Sequence, residues 1–267
     1  MKELLALLIR NSESPLMARN VMREYLQARV LASLQREGAM MPLALHGGTA
    51  LRFLYTLPRH SEDLDFTIEG EPSSYDLKRY ARAIEAEFHR EGYELETQTS
   101  DERTVHNAWI RFRGLLFEMG LSGQRDELTS LKLEVDTNPP LGAGLATTVV
   151  RRHVTLQLHH HDQASLLSGK IHAILQRKFT KGRDLYDLLW YLSDPEWPEP
   201  NLTLLNNALS QTDWQGDDLS RRNWRDVLRN CIDELEWRNV RTDVAPFLER
   251  ANELELLTRE NLRRLLL

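Results

Sequence analysis

Residues 46 to 66 read HGGTALRFLYTLPRHSEDLDF. Two glycines and a threonine open a segment, Thr49 to Tyr55, with the apolar spacing of a short helix, and Pro58 stops it. From Asp63 to Ile68 polar and apolar residues alternate, the period of a strand with one buried face. Asp63 and Asp65 then share one side while Leu64 and Phe66 take the other. Paired carboxylates on one face repel unless a cation lies between them, and Mg²⁺ (or Mn²⁺) is a usual partner for such oxygens. Glycines admit a close backbone approach that a Cβ would block, and amides at a helix N-terminus point at whatever anion lies there. Gly47, Gly48 and Thr49 are therefore candidates to hold a triphosphate, and Asp63 and Asp65 to hold the metal ions that make it reactive.

Working outward, residues 1 to 37 have helical spacing broken at Ser14-Pro15, and Ser74 to Glu91 is a second helical region. Strand patterns run from Trp109 to Phe112 and from Leu131 to Asp136, the latter ended by Thr137-Asn-Pro-Pro140. That last strand offers a third acid, since Glu134 and Asp136 lie opposite Leu131, Leu133 and Val135. The same row also reads as an outward polar face with Lys132 paired to Glu134. From Ala164 onward helices dominate, over 165–179, 184–192, 202–210 and 220–237, with a further pair after Pro246. The expected architecture is α+β: an α/β unit over 1–150 with a small mixed sheet and N-terminal helices, then a helical unit over 151–267, the join falling between 140 and 165.

Composition sets the outer bounds. A chain of 267 residues, 41% hydrophobic and 28% charged, has the profile of a soluble globular protein. No stretch is long and apolar enough to span a bilayer, and the N-terminal apolar run is too short and too interrupted for a signal peptide, so a cytoplasmic location without membrane contact is expected. Cys231 is the only cysteine, which excludes an internal disulfide and a Cys-rich zinc site, and it reads as a core residue. A net charge of -6 argues against a surface that coats nucleic acid throughout. Residues 151 to 187, however, carry seven Lys/Arg and five histidines against three acids, a candidate track for an RNA backbone. His159, His160 and His161 are consecutive and diverge in direction, which argues against a metal site there. Trp224 and Trp237 read as core, while exposed tryptophans near a cleft are candidates to stack on a base.

The run G-G-T, thirteen residues, D-L-D resembles the polymerase-β-like nucleotidyltransferase signature, and H-G-G-T-A-L followed by R-x-S-x-D-L-D-F looks like the AbiEii-type toxins of type IV toxin-antitoxin systems. Arg59, Ser61, Asp63 and Asp65 occupy the positions of the second motif. The resemblance continues through the acidic strand with Glu134 and Asp136, the helix around Lys170, and R-D-x-x-D-L at Arg183 to Leu188. It implies catalytic roles for Asp63, Asp65, Lys170 and Asp184, nucleotide contacts from Gly47, Gly48, Thr49, Arg59, Ser61 and Lys170, and metal ligation by Asp63, Asp65 and one of Glu134 or Asp136. It further implies that an NTP supplies a nucleotide to the 3′ end of tRNA or a related RNA, that translation and growth stop, and that a cognate antitoxin is encoded nearby. Lys170 and Asp184 are expected at the cleft, so Lys170→Ala is expected to fold normally; an interhelical ion pair between them is the alternative. Two rival readings are a nucleotidyltransferase acting on a small molecule or protein, and a non-catalytic nucleotide- or RNA-binding module.

Overall fold

The computed structural model describes residues 2–177, 179 and 181–267. In chain order the elements are α1 (Lys2–Arg10), α2 (Pro15–Arg36), β1 (Leu43–His46), α3 (Gly47–Tyr55), β2 (Leu64–Ile68), α4 (Leu77–Arg90), β3 (Leu95–Ser100), β4 (Val105–Phe112), α5 (Leu115–Glu118), β5 (Thr129–Asp136), β6 (Leu145–Arg152), β7 (Val154–His161), α6 (Gln163–Gln176), α7 (Gly182–Leu192), α8 (Leu202–Gln211), α9 (Trp224–Asp233), α10 (Trp237–Val244), α11 (Glu253–Leu256) and α12 (Arg259–Leu265). No helix among the described residues is long and apolar enough to cross a membrane.

Two compact units divide the chain. The first comprises 1–55, 60–139 and 147–160; the second comprises 56–59, 140–146 and 161–267. The expected single join is thus replaced by an interleaved one: 151–160 belong to the first unit because β7 pairs in parallel with β1, and 56–59 belong to the second.

The first unit is built on a mixed sheet in the order β3-β4-β5-β2-β1-β7-β6. β2 runs antiparallel to β1 and parallel to β5, and β4 is antiparallel to both β5 and β3. On one face Leu64, Phe66, Leu131, Leu133, Val135, Ala108, Ile110 and Phe112 are buried, and α2 and α4 pack there. α4 begins later than its apolar pattern suggests, because Asp76 caps it by accepting from the Arg79 amide while Pro72–Ser74 forms a separate 3₁₀ turn. Leu77, Tyr80, Ala81, Ile84 and Phe88 form its buried stripe.

α2 is a central helix, and its buried polar groups must therefore be paired. Glu24 accepts from Arg52 Nε at 2.6 Å and from Arg152 Nε at 2.8 Å, and its carboxylate lies 3.1 Å from His153 Nε2 and 3.3 Å from His60 Nδ1. Three other segments are tied to one carboxylate. His153 reaches it from the one-residue turn between β6 and β7, with φ of 59°. Burial alone would raise the Glu24 carboxyl, but hydrogen bonds from His153, His60 and Arg152 and the charge of Arg52 outweigh it and hold the group far below the carboxylate range.

In the second unit α6 packs on α7, α8 and α9, and α7 on α10 and α12. Gly182 starts α7 where a Cβ would collide with the Val240 carbonyl oxygen. The helix expected over 220–237 is shorter, α9 ending at Asp233, and a separate helix α10 begins at Trp237. Trp224 is buried, whereas Trp237 and Cys231 are partly exposed rather than in the core.

Glu24→Gln leaves Arg52 and Arg152 without their counter-charge and is expected to cost about 3–5 kcal/mol in urea denaturation at neutral pH. The unfolded carboxyl takes up its proton near 4.5 and the folded one only at much lower pH. The contribution of Glu24 is therefore complete at neutral pH and drains away as pH falls below about 4.5, so the gap between wild type and variant narrows in acid.

Candidate active site

The decisive contact of the first unit lies where β1 turns into α3. Gly47 has φ of 75°, and a Cβ placed on it would stand 2.6 Å from Oδ2 of Asp65. Only glycine serves both the left-handed backbone and the close approach. The N-terminus of α3 and the Asp65 carboxylate are consequently neighbours. Thr49 is fully buried, and its hydroxyl donates to the backbone carbonyl of Asp63 at 2.5 Å, so the side chain expected to touch phosphate instead ties the helix to the acid-bearing segment. Its amide, with those of Gly47 and Gly48, remains the anion-directed group of the helix start.

Asp63 immediately precedes β2 and Asp65 lies within it. Gln27 on α2 fixes the approach to this strand, its Nε2 donating to the carbonyls of Ser61 at 3.2 Å and Glu62 at 2.9 Å. Ser61 thus serves the fold through its carbonyl. His46 stands opposite Asp65 in the β1–β2 ladder, and Glu134 stands beside Asp65 in the parallel β2–β5 ladder. Asp136 is paired with Thr67 one same-face step away, and its Oδ1 accepts from the Asn138 amide at 2.9 Å at the strand end. Glu134 forms an ion pair with Lys132 at 2.7 Å. Among the described residues no three His, Cys, Asp or Glu side chains gather as a preformed metal cage. Mg²⁺ does not require one, since it is commonly held by one or two carboxylates together with substrate phosphates and water. Two aspartates beside an anion-directed helix start fit that chemistry.

The remaining candidates lie together in the second unit. Lys170 Nζ sits 2.7 Å from Asp187 Oδ2 and 3.0 Å from Asp184 Oδ1. Arg59 grips Asp187 with Nε at 2.6 Å and Nη2 at 2.5 Å, and Arg177 reaches Asp184 at 2.5 Å. Asp184 and Asp187 are one turn apart on the same face of α7, which places both between the cations. Burial would lower the Lys170 ammonium, but Asp187 and Asp184 raise it above its ordinary value, so it stays charged. Burial would likewise raise Asp184, and Lys170 and Arg177 hold it below the carboxylate range.

Two expectations change here, while Asp184 takes the alternative reading, an ion pair with Lys170 from the first turn of α7. The Arg59 guanidinium, expected on the nucleotide, is buried and occupied bidentately by Asp187. Lys170→Ala is expected to destabilise the fold rather than leave it untouched, since it strips compensation from two buried carboxylates. Of the basic residues over 151–187, Arg152, Lys170, Arg177 and Arg183 are paired with Glu24, the two aspartates of α7 and Asp243, Arg151 and Lys181 are exposed, and Lys178 lies outside the described residues. His159 and His160 are engaged with the Leu43 carbonyl and the Thr148 hydroxyl.

With this geometry in place, comparison with known proteins is informative. The family model described as "Nucleotidyl transferase AbiEii toxin, Type IV TA system" matches residues 29–260. The chain belongs to this family. It is a nucleotidyltransferase of the AbiEii toxins, and membership in a type IV system brings an antitoxin partner and an NTP substrate with it. Two solved structures share the fold: a candidate nucleotidyltransferase from H. pylori, at TM-score 0.55 and 18% identity over 93% of each chain, and JHP933 from Helicobacter pylori, at 0.51 and 19% over 93% of this chain and 88% of that one. No curated protein matches the sequence at a significant level.

Gly47→Ala tests the close approach within this AbiEii chain. A Cβ at position 47 both strains the backbone by about 1–2 kcal/mol and displaces the Asp65 carboxylate. The expected outcome is a modest fall in the urea midpoint with a tenfold or greater loss of NTP affinity, read by equilibrium titration.

Proposed function

We propose that this AbiEii toxin transfers a nucleotide from an NTP to the 3′ end of tRNA or a related RNA in a metal-dependent reaction. The observation that carries the reading is the contact between Gly47 at the start of α3 and the carboxylate of Asp65. The amides of Gly47, Gly48 and Thr49 bind the triphosphate, with the helix dipole favouring its charge. Asp63 and Asp65 hold the divalent ion, Mg²⁺ or Mn²⁺. Glu134 is the preferred third acid over Asp136, because it stands in register with Asp65. A bound divalent ion would neutralise charge on the triphosphate and lower the pKa of the acceptor hydroxyl.

The acceptor oxygen forms a bond to the α-phosphorus as the bond to the bridging oxygen breaks, and pyrophosphate leaves. The hydroxyl proton passes to a carboxylate of the Asp65–Glu134 row. Thr49 and Gln27 act by position, holding the Asp63 segment against the helix start. Lys170 and Asp184 keep the catalytic part the resemblance gives them, Lys170 as a permanent cation and Asp184 as the carboxylate that orients it, with Arg59 and Asp187 completing the set. The RNA acceptor rests on the family's translation-blocking action. A small-molecule or protein acceptor would use the same residues.

The test incubates the purified protein with each α-labelled NTP, Mg²⁺ and total tRNA. Label on RNA is expected with at least one NTP, lost with a chelator, and reduced a hundredfold or more in Asp65→Asn, which preserves shape and removes charge. Label appearing on no RNA, or undiminished in Asp65→Asn, contradicts the reading.

A further inference from the structure

The polar face of the sheet continues beyond the carboxylates. Along β4, Ala108, Ile110 and Phe112 are buried, while Asn107, Trp109 and Arg111 point to the side that carries Asp65 and Glu134. Glu134 is in register with Asn107, and one same-face step away Lys132 is in register with Trp109, which in turn pairs with Gln98 of β3. By ordinary strand spacing the Trp109 Cα lies about 12 Å from that of Asp65, two strands across and two residues along.

Trp109 is unlike the other tryptophans with an assigned hydrogen bond. The indole nitrogens of Trp214, Trp224 and Trp237 donate to Asp217, Glu199 and Ile232. That of Trp109 has no protein acceptor among the described residues, and the ring is partly exposed. Its company consists of cations: Lys132 Nζ is 5.5 Å and Arg111 Cζ 6.0 Å from the ring centroid. Both are anchored, Lys132 by Glu134 and Arg111 by Gln98 Oε1 at 2.7 Å. A partly exposed indole with two anchored cations within 6.0 Å of its ring centre, on the same face as the candidate metal ligands, combines the two features by which proteins hold unpaired nucleotides: a π surface for a base and positive charge for its phosphate.

We propose that Trp109, with Lys132 and Arg111 beside it, is a nucleobase-stacking subsite serving the carboxylate site. This rests on the nucleotidyl-transfer reading above. The base belongs either to the incoming NTP or to the terminal nucleotide of the single-stranded acceptor, and stacking on the indole is common to both.

Equilibrium binding separates the sources and does not depend on turnover. The full chain, wild type and Trp109→Ala, is titrated with NTP, with a short labelled single-stranded oligoribonucleotide, and with a base-free ribose triphosphate. About tenfold weaker binding of either the NTP or the oligonucleotide by Trp109→Ala is expected, with affinity largely restored in Trp109→Phe and base-free triphosphate affinity unchanged. Whichever ligand weakens identifies the base. Unchanged affinity for both base-bearing ligands overturns the proposal, as does an equal loss for the base-free probe, which marks a structural effect. If wild type labels no RNA yet these binding differences appear, the transfer reading fails while the subsite stands.

Discussion

A side chain at position 47 has nowhere to go. Gly47 takes a left-handed backbone and lies so close to Asp65 that a single methyl group would collide with its carboxylate oxygen. That exclusion brings together two features that attract opposite charges, a helix start whose first amides have no intrahelical acceptor and a strand with paired acids. Neither is a site alone. Joined, they are the proposed site for an anion and for the cation that would bridge it.

The close approach has to be maintained, and the structure does so from behind. Thr49 and Gln27 fix the segment before β2 from α3 and α2. Glu24 then joins α2 to α3 through Arg52, to the β6–β7 turn through Arg152 and His153, and to the segment before Asp63 through His60. One buried carboxylate therefore sets the relation between the helix start proposed for the triphosphate and the strand that carries the candidate metal ligands. The second unit has its own version, with Asp184 and Asp187 held among Arg59, Lys170 and Arg177. Buried charge in both places is compensated, and so confers definition of geometry more than bulk stability.

The sequence carried the site more clearly than its support. Gly47, Asp63 and Asp65 were legible because glycine and period-2 acids are local signals, and helices such as α4 announced themselves by their apolar stripe. β6 and β3 were not, since LATTVVRR and LETQTS are largely solvent-facing edge strands without a buried alternation. β7 does alternate, but its histidines and the nearby arginines read as a basic tract. Some buried charges have partners far away in sequence: Arg152 is matched by Glu24 and Arg59 by Asp187, each 128 residues distant. Local composition records a charge and not its neutralisation. For the same reason Glu24, Gln27 and Arg52 gave no hint of their roles, and the register that sets Glu134 rather than Asp136 beside Asp65 is a tertiary fact.

The central claim is that the start of α3 and the paired aspartates bind one ligand together. A crystal structure of the protein with Mn²⁺ and a non-hydrolysable NTP tests it most directly, the metal being located by its anomalous signal. The account predicts a manganese peak in contact with Asp63 and Asp65, with the triphosphate spanning from that ion to the amides of Gly47 to Thr49. Triphosphate density elsewhere, or a metal bound without either aspartate, would contradict it.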